Sequence, residues 1–206
     1  MTSPTPLAYD TYYHIHNRGV NRENIFLEER NYGYFLNMYS KYIEPVAETF
    51  AYCLMKNHFH LLIRTKSEAE ILGDQSLRVS KTLRDSMPNP SSSFSNLFNA
   101  YAKGINKTYG RTGSLFQHPF GRVPVTSDVQ FHAVVRYIHQ NPQKHEFVDD
   151  FRDWPYSSYD ALISEKPTRL KRNMVLEWFG GRDEYAATHA LLVEEARSKL
   201  FAGDDG

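Results

Sequence analysis

An α+β fold on an antiparallel sheet is predicted by three observations. Short segments rich in aromatic and β-branched residues recur, at 11–17, 49–55 and 58–64. The last two are separated only by Lys56-Asn57, a two-residue turn candidate between antiparallel neighbours, although it lacks the glycine of the commonest hairpins. Between and after these segments lie stretches with apolar residues at helical spacing.

Taken in order, Thr11-Tyr12-Tyr13-His14-Ile15-His16-Asn17 reads as a strand, and Arg18 to Asn21 as the turn or bulge after it. Residues 28–43 carry Tyr32, Phe35, Leu36 and Tyr39 on one helical face, and Pro45 closes that helix. The strands 49–55 and 58–64 follow, and the hairpin they form is expected at the centre of the sheet. Residues 66–93 are mostly polar, with a short helix expected around 76–83 and a loop at Asn89-Pro90-Ser91-Ser92-Ser93. Leu97, Phe98, Tyr101 and Ile105 mark a helix over 94–109, broken at Gly110. A strand is expected over 115–125, interrupted at His118-Pro119 and Pro124, which suits an edge or bulge. Ser127 is a cap for a last helix through Phe131, Val134, Val135 and Ile138, which Pro142 is expected to stop near Asn141. The first six elements follow the βαββαβ order of a ferredoxin-like fold, with the last helix beside the sheet. Beyond it, the aromatic segment 154–159 is expected to pack back on the domain, and a tail from about residue 167 has helical character over 186–201. Two regions result, a domain at 9–163 and a partly helical extension at 164–206.

The chain has 206 residues, enough for one domain with a core and an extension. No run of 18 apolar residues occurs, and Met1 to Pro6 lacks the basic and apolar regions of a signal peptide, so a cytoplasmic protein without a membrane span is expected. Cys53 is the single cysteine and sits in an apolar run, as a small core residue in a reducing compartment. Net charge is zero, yet residues 76–145 hold nine basic and two acidic residues. Such a basic middle supplies phosphate contacts that the whole-chain sum conceals.

The chemistry sits in His58-Phe59-His60 and in the last helix. Alternation along a strand sends His58 and His60 to one face and Phe59 to the other. Tyr137 and Asn141, four residues apart, share a helix face. Where those faces meet, two imidazoles and the Asn141 carbonyl oxygen make a neutral nitrogen and oxygen set for Mg2+ or Mn2+, open to phosphate and water. A tyrosine hydroxyl beside such an ion can attack phosphorus and form a covalent phosphotyrosine, releasing a sugar hydroxyl that a second hydroxyl can replace. His14 and His16 are a second alternating pair on the neighbouring strand, as outer supports or as structural residues. His139 falls on another face of the helix.

These residues resemble a known family. His58-Phe59-His60 is similar to the HUH motif, histidine, large hydrophobe, histidine. Tyr137-Ile138-His139-Gln140-Asn141-Pro142 resembles the tyrosine helix of the single-tyrosine HUH transposases of the insertion-sequence-200-like group, and more closely that of REP-associated tyrosine transposases. Tyr13 to Gly19, Gly113 to Gln117 and Trp154 to Tyr159 also match, so the likeness covers residues 9–163. His118-Pro119 departs from it, standing where related chains often carry a basic residue. The resemblance implies His58, His60 and Asn141 as metal ligands and Tyr137 as the nucleophile. It implies cutting of single-stranded DNA near a hairpin, with a 5′-phosphotyrosine and a free 3′-hydroxyl. It also implies either a monomer acting in cis or a homodimer that exchanges the tyrosine helix. Two rivals are a non-catalytic single-strand-binding module that stacks bases on its sheet, and a metal phosphoesterase that activates water.

Overall fold

A computed structural model describes residues 5–73 and 88–190 of the chain. Its centre is a four-stranded antiparallel sheet of β1 (Tyr12–Arg18), β2 (Ala47–Leu54), β3 (His58–Thr65) and β4 (Gly121–Pro124), in the order β2-β3-β1-β4. The helices are α1 (Glu29–Tyr42), α2 (Glu68–Leu72), α3 (Pro90–Tyr109), α4 (Asp128–Lys144), α5 (Tyr159–Ile163), α6 (Arg172–Trp178) and α7 (Arg182–Ala190). The α+β class is therefore as the sequence indicates.

Strand alternation divides the molecule into two cores. Ile15, Phe59, Leu61 and Ile63 face α1 and α3, where Phe35, Phe94, Leu97, Phe98 and Tyr101 meet them. Phe59 is fully buried among Phe35, Phe98 and Phe116. Truncating such a phenyl ring to alanine costs about 3–5 kcal/mol. On the other face Leu62, Phe50 and Cys53 pack under Phe131, Val134, Val135 and Ile138 of α4. Trp178 of α6 and Tyr185 of α7 complete that second core.

Several expectations need correction. The β2–β3 hairpin is not central, because β2 forms one edge of the sheet. Its open side is covered by the segment after α4, where Leu54 N donates to Tyr156 O at 3.0 Å and Ser158 N to Tyr52 O at 2.9 Å. That cover pairs backbone groups which an exposed edge would leave open. The strand expected over 115–125 shrinks to the four residues of β4, preceded by one bridge between Gly19 and Phe116. The prolines of this stretch have no N–H to give a ladder, which confines it to the other edge. The loop expected at 89–93 is instead the first turn of α3. Asn89 caps that turn by accepting from Ser91 N and Ser92 N, and Pro90 suits the first helical position.

Helix α2 was not foreseen, although Ser67 and Glu70 form a capping box at its start. The helix expected at 76–83 lies outside the described residues. So do residues beyond 190; the described part of the tail expected from about 167 forms α6 and α7. Helix α4 runs past Asn141 to Lys144, with Pro142 inside its last turn. That turn survives because bonds from beyond the proline close it: His145 N to Asn141 O at 3.0 Å and Phe147 N to Pro142 O at 2.9 Å. Gly110 ends α3 with φ of 63°, a left-handed cap that glycine adopts at no steric cost.

Candidate active site

His58 and His60 leave β3 toward α4, while Phe59 between them enters the other core. Both imidazoles are buried, at 4% and 1% exposure. Helix α4 crosses this face and brings Tyr137 and Asn141 over it, one turn apart. The four predicted residues therefore meet within one chain. His58 Nε2 lies 3.3 Å from Asn141 Oδ1, and the Tyr137 ring stands edge-on to His60 with centroids 5.3 Å apart.

The hydrogen bonds define what His58 presents. Its Nδ1 lies 2.6 Å from Asn57 Oδ1. An amide oxygen only accepts, so a neutral His58 making this bond carries its proton on Nδ1 and keeps the Nε2 lone pair. That lone pair and the Asn141 carbonyl oxygen face each other, an arrangement suited to a shared cation. Asn141 Nδ2 is buried and has no hydrogen-bond partner among the described residues. The same amide turned by half would donate from Nδ2 to His58 Nε2. The pair thus has a hydrogen-bonded form and a form with two lone pairs aimed at one point. Among the described residues no group of three or more His, Cys, Asp or Glu side chains is placed to hold an ion. A cation held by His58 and His60 would therefore need an oxygen from another residue type, and the Asn141 amide is the one beside His58.

The sequence offers His14 and His16 as outer supports or structural residues and does not mark Lys144 or His145 for the site. His14 is fully buried on β1, with Nε2 2.9 Å from His60 Nδ1. His16 lies beside it, 5.2 Å from His14 and 5.9 Å from His60 between ring centroids. Room for His16 comes from Gly121 across the β1–β4 pair, where a Cβ would stand 2.0 Å from His16 Nε2. At the end of α4, Lys144 Nζ lies 5.4 Å from the centre of the Tyr137 ring, and the His145 ring meets His58 at 4.9 Å. Lys144 is seven residues after Tyr137, a two-turn spacing that could have marked it.

His139 points away from the site, as its place on the helix predicts. It is buried with His189 of α7, Nδ1 to Nε2 at 2.9 Å, and its Nε2 meets Ser158 Oγ at 2.7 Å. Burial pushes the His139 imidazole well below its ordinary range and that of His189 down to about 4. Both rings are therefore neutral near neutral pH and hold α7 against the outer side of α4.

The basic middle is divided between packing and surface. Arg111 pairs with Glu23, and Arg122 lies over the Phe120 ring and donates to Thr5 O. Lys103 and Lys107 remain exposed on α3, while Arg78, Lys81 and Arg84 lie outside the described residues. Among the described residues no helix is long and apolar enough to cross a membrane.

No protein-family model matches the chain. A Haemophilus influenzae protein described as a "Putative REP-associated tyrosine transposase" is 25% identical over 112 residues. The match takes in 54% of this chain and 58% of that relative, so it spans little more than half of each. A solved structure of a REP-associated tyrosine transposase bound to a REP hairpin superposes with a TM-score of 0.61. It shares 18% identity and covers 81% of this chain and 89% of that one, a likeness of fold. The resemblance to REP-associated tyrosine transposases carried by the motifs is thus borne out.

Proposed function

We propose that this chain is a metal-dependent DNA strand transferase that cuts single-stranded DNA beside a hairpin through a phosphotyrosine intermediate. One observation carries this: two strand histidines, a helix amide and a helix tyrosine converge from distant parts of a single chain. The sheet order β2-β3-β1-β4 supports reading the core as ferredoxin-like, with the short α2 as an addition between β3 and α3.

A bound Mg2+ or Mn2+ would be held by His58, His60 and Asn141, and would polarise a phosphate oxygen as a Lewis acid. The chain's own residues supply the rest. Asn57 fixes the His58 tautomer, and Asn141 shares a helix face with Tyr137, so ligand and nucleophile stay in register. Tyr137 Oη attacks the scissile phosphorus. The new bond is Oη–P, the bond broken is P–O3′, the phenol loses its proton and the departing 3′ oxygen gains one. The 3′ portion of the DNA stays on the tyrosine through its 5′-phosphate, and the 5′ portion leaves with the free 3′-hydroxyl. A second 3′-hydroxyl can reverse the step, so strands rejoin without ATP. Lys144 stands where its charge can face the phosphate or the phenolate.

The hairpin-bound relative supports a DNA hairpin as the partner of this chain as well. The exposed Lys103 and Lys107 offer phosphate contacts to it. Tyr137 sits over the histidines of its own chain, which favours a monomer acting in cis over a helix-exchanged dimer. Residues 9–163 are the transposase-like unit, with 164–206 as its extension.

The test uses a hairpin oligonucleotide with a single-stranded flank, labelled at its 5′ or its 3′ end, with Mg2+ or Mn2+. Wild type should capture the 3′ label covalently and release the 5′ label. Tyr137→Phe should bind the oligonucleotide and capture neither. Equal capture by both proteins removes Tyr137 from the chemistry, and cleavage without capture points to an activated water.

A further inference from the structure

We infer that His14 is a positioning residue for the metal site, holding His60 in the one tautomer that can ligate through Nε2. This rests on the metal-site function proposed above and deepens it.

His14 faces Leu62 directly across the β1–β3 pair, so it reaches His60 diagonally along the sheet face. Its Nε2 lies 2.9 Å from His60 Nδ1, and the two rings are stacked with centroids 5.1 Å apart. Two neutral imidazoles at that distance share one proton, and its owner decides what His60 can do. If His14 donates, His60 accepts at Nδ1 and carries its own proton on Nε2, where no ligand bond can form. If His60 donates, Nε2 keeps its lone pair and can bind a cation.

The neighbouring histidine indicates which form is built. His58 is held from behind in the same way, with Nδ1 donating to Asn57 Oδ1 and Nε2 aimed at Asn141. Both histidines thus have Nδ1 against a fixed protein group and Nε2 on the far edge of the ring. His60 Nε2 is itself buried, as is the whole His14 side chain, so the pair sits where water does not set the tautomer. An imidazole is well suited to the supporting position, since its acceptor is rigidly placed by a strand on which Gly121 leaves space for the adjoining His16 ring. Such outer partners orient ligands and raise their basicity, and their loss typically costs about 10–100-fold in metal affinity.

Two measurements test this. Long-range 1H–15N spectra of the wild-type imidazoles, without added metal at about pH 8 where free imidazole is neutral, should show His60 protonated on Nδ1. A His60 protonated on Nε2 overturns the inference. Mn2+ titrations followed by electron paramagnetic resonance should show His14→Phe about 10–100-fold weaker than wild type. His14→Gln, whose side-chain oxygen can accept from His60 Nδ1, should stay close to wild type. Equal affinity of wild type and His14→Phe overturns the inference, and so does a His14→Gln as weak as His14→Phe. Should His14→Phe fail to fold, the wild-type tautomer and the His14→Gln affinity still decide. A wild type that takes up no Mn2+ while His60 carries its proton on Nδ1 counts against the metal site, and leaves the hydrogen bond from His60 to His14 standing.

Discussion

Acid should loosen the outer side of the tyrosine helix through the His139–His189 pair. His189 has a pKa of about 4, lowered chiefly by its burial and further by Arg136, against a donor bond to Tyr185 O that pulls the other way. The unfolded chain takes up the same proton near pH ~6.5. Between those values the unfolded state binds more protons than the folded one, so stability rises with pH there and is lost on acidification. One tenfold difference in proton affinity is worth about 1.4 kcal/mol, so the gap at His189 alone amounts to about 3 kcal/mol. The contribution is whole above pH ~6.5 and gone below about pH 4. His139, also depressed by burial, adds to the loss in the same direction.

The assay is urea unfolding of wild type and His189→Gln at steps from about pH 7.5 to about pH 4.5. Other titrating groups are common to both proteins and cancel in the difference. At the upper end the variant should be less stable by about 1–2 kcal/mol, having lost a buried hydrogen bond to His139. On acidification the wild type should fall faster by about 2–3 kcal/mol, so its initial advantage vanishes and the two curves meet or cross. Parallel curves over the whole range would refute the burial argument, since His189 would then titrate alike in folded and unfolded chains. Because α7 rests on α4 through this pair, exchange of backbone amides in α7 should rise at acid pH before that of β1 and β3 does.

Two further outcomes follow from the site's packing. Gly121→Ala should destabilise the protein by about 1–3 kcal/mol, because the new Cβ would stand 2.0 Å from His16 Nε2; the double variant with His16→Ala should recover most of that loss in thermal melts. Mixing Tyr137→Phe with a His58→Ala/His60→Ala variant should restore no covalent capture if the site acts in cis, whereas helix exchange between copies would restore it.

The four site residues were legible because each obeys a local period. His58 and His60 are set by alternation in a strand, Tyr137 and Asn141 by one turn of helix, and both periods hold in the structure. The supports around them carried weaker signals. His14 stood out as half of an alternating pair, but its bond to His60 depends on strand register, which no short window contains. His139 and His189 lie fifty residues apart on two helices, so only the packed fold pairs them. Secondary structure failed where composition competed with capping. The serines after Pro90 read as a loop until Asn89 is seen to cap them, and Ser67 with Glu70 start a helix too short to show a period. Pro142 predicts a stop because a proline disfavours helix in its predecessor. Bonds closing beyond the proline keep Asn141 helical, which is what leaves its amide above His58.

Helix α4 has to satisfy two demands at once, and the residues divide them by position. Phe131, Val134, Val135 and Ile138 bury themselves on β2 and β3 and fix the helix's height above the sheet. Tyr137 and Asn141 lie on the flank of that stripe, so the apolar packing carries them to the histidines, where Asn141 meets His58. The opposite flank carries His139, held by Ser158, Tyr185 and His189 from the segments that follow. The helix is thus clamped between a sheet face and a C-terminal layer. An error of about 1 Å in the placement of a reacting group can cost about a hundredfold in rate, so under the proposed function the described elements after residue 150 would bear on the chemistry through the positions of Tyr137 and Asn141.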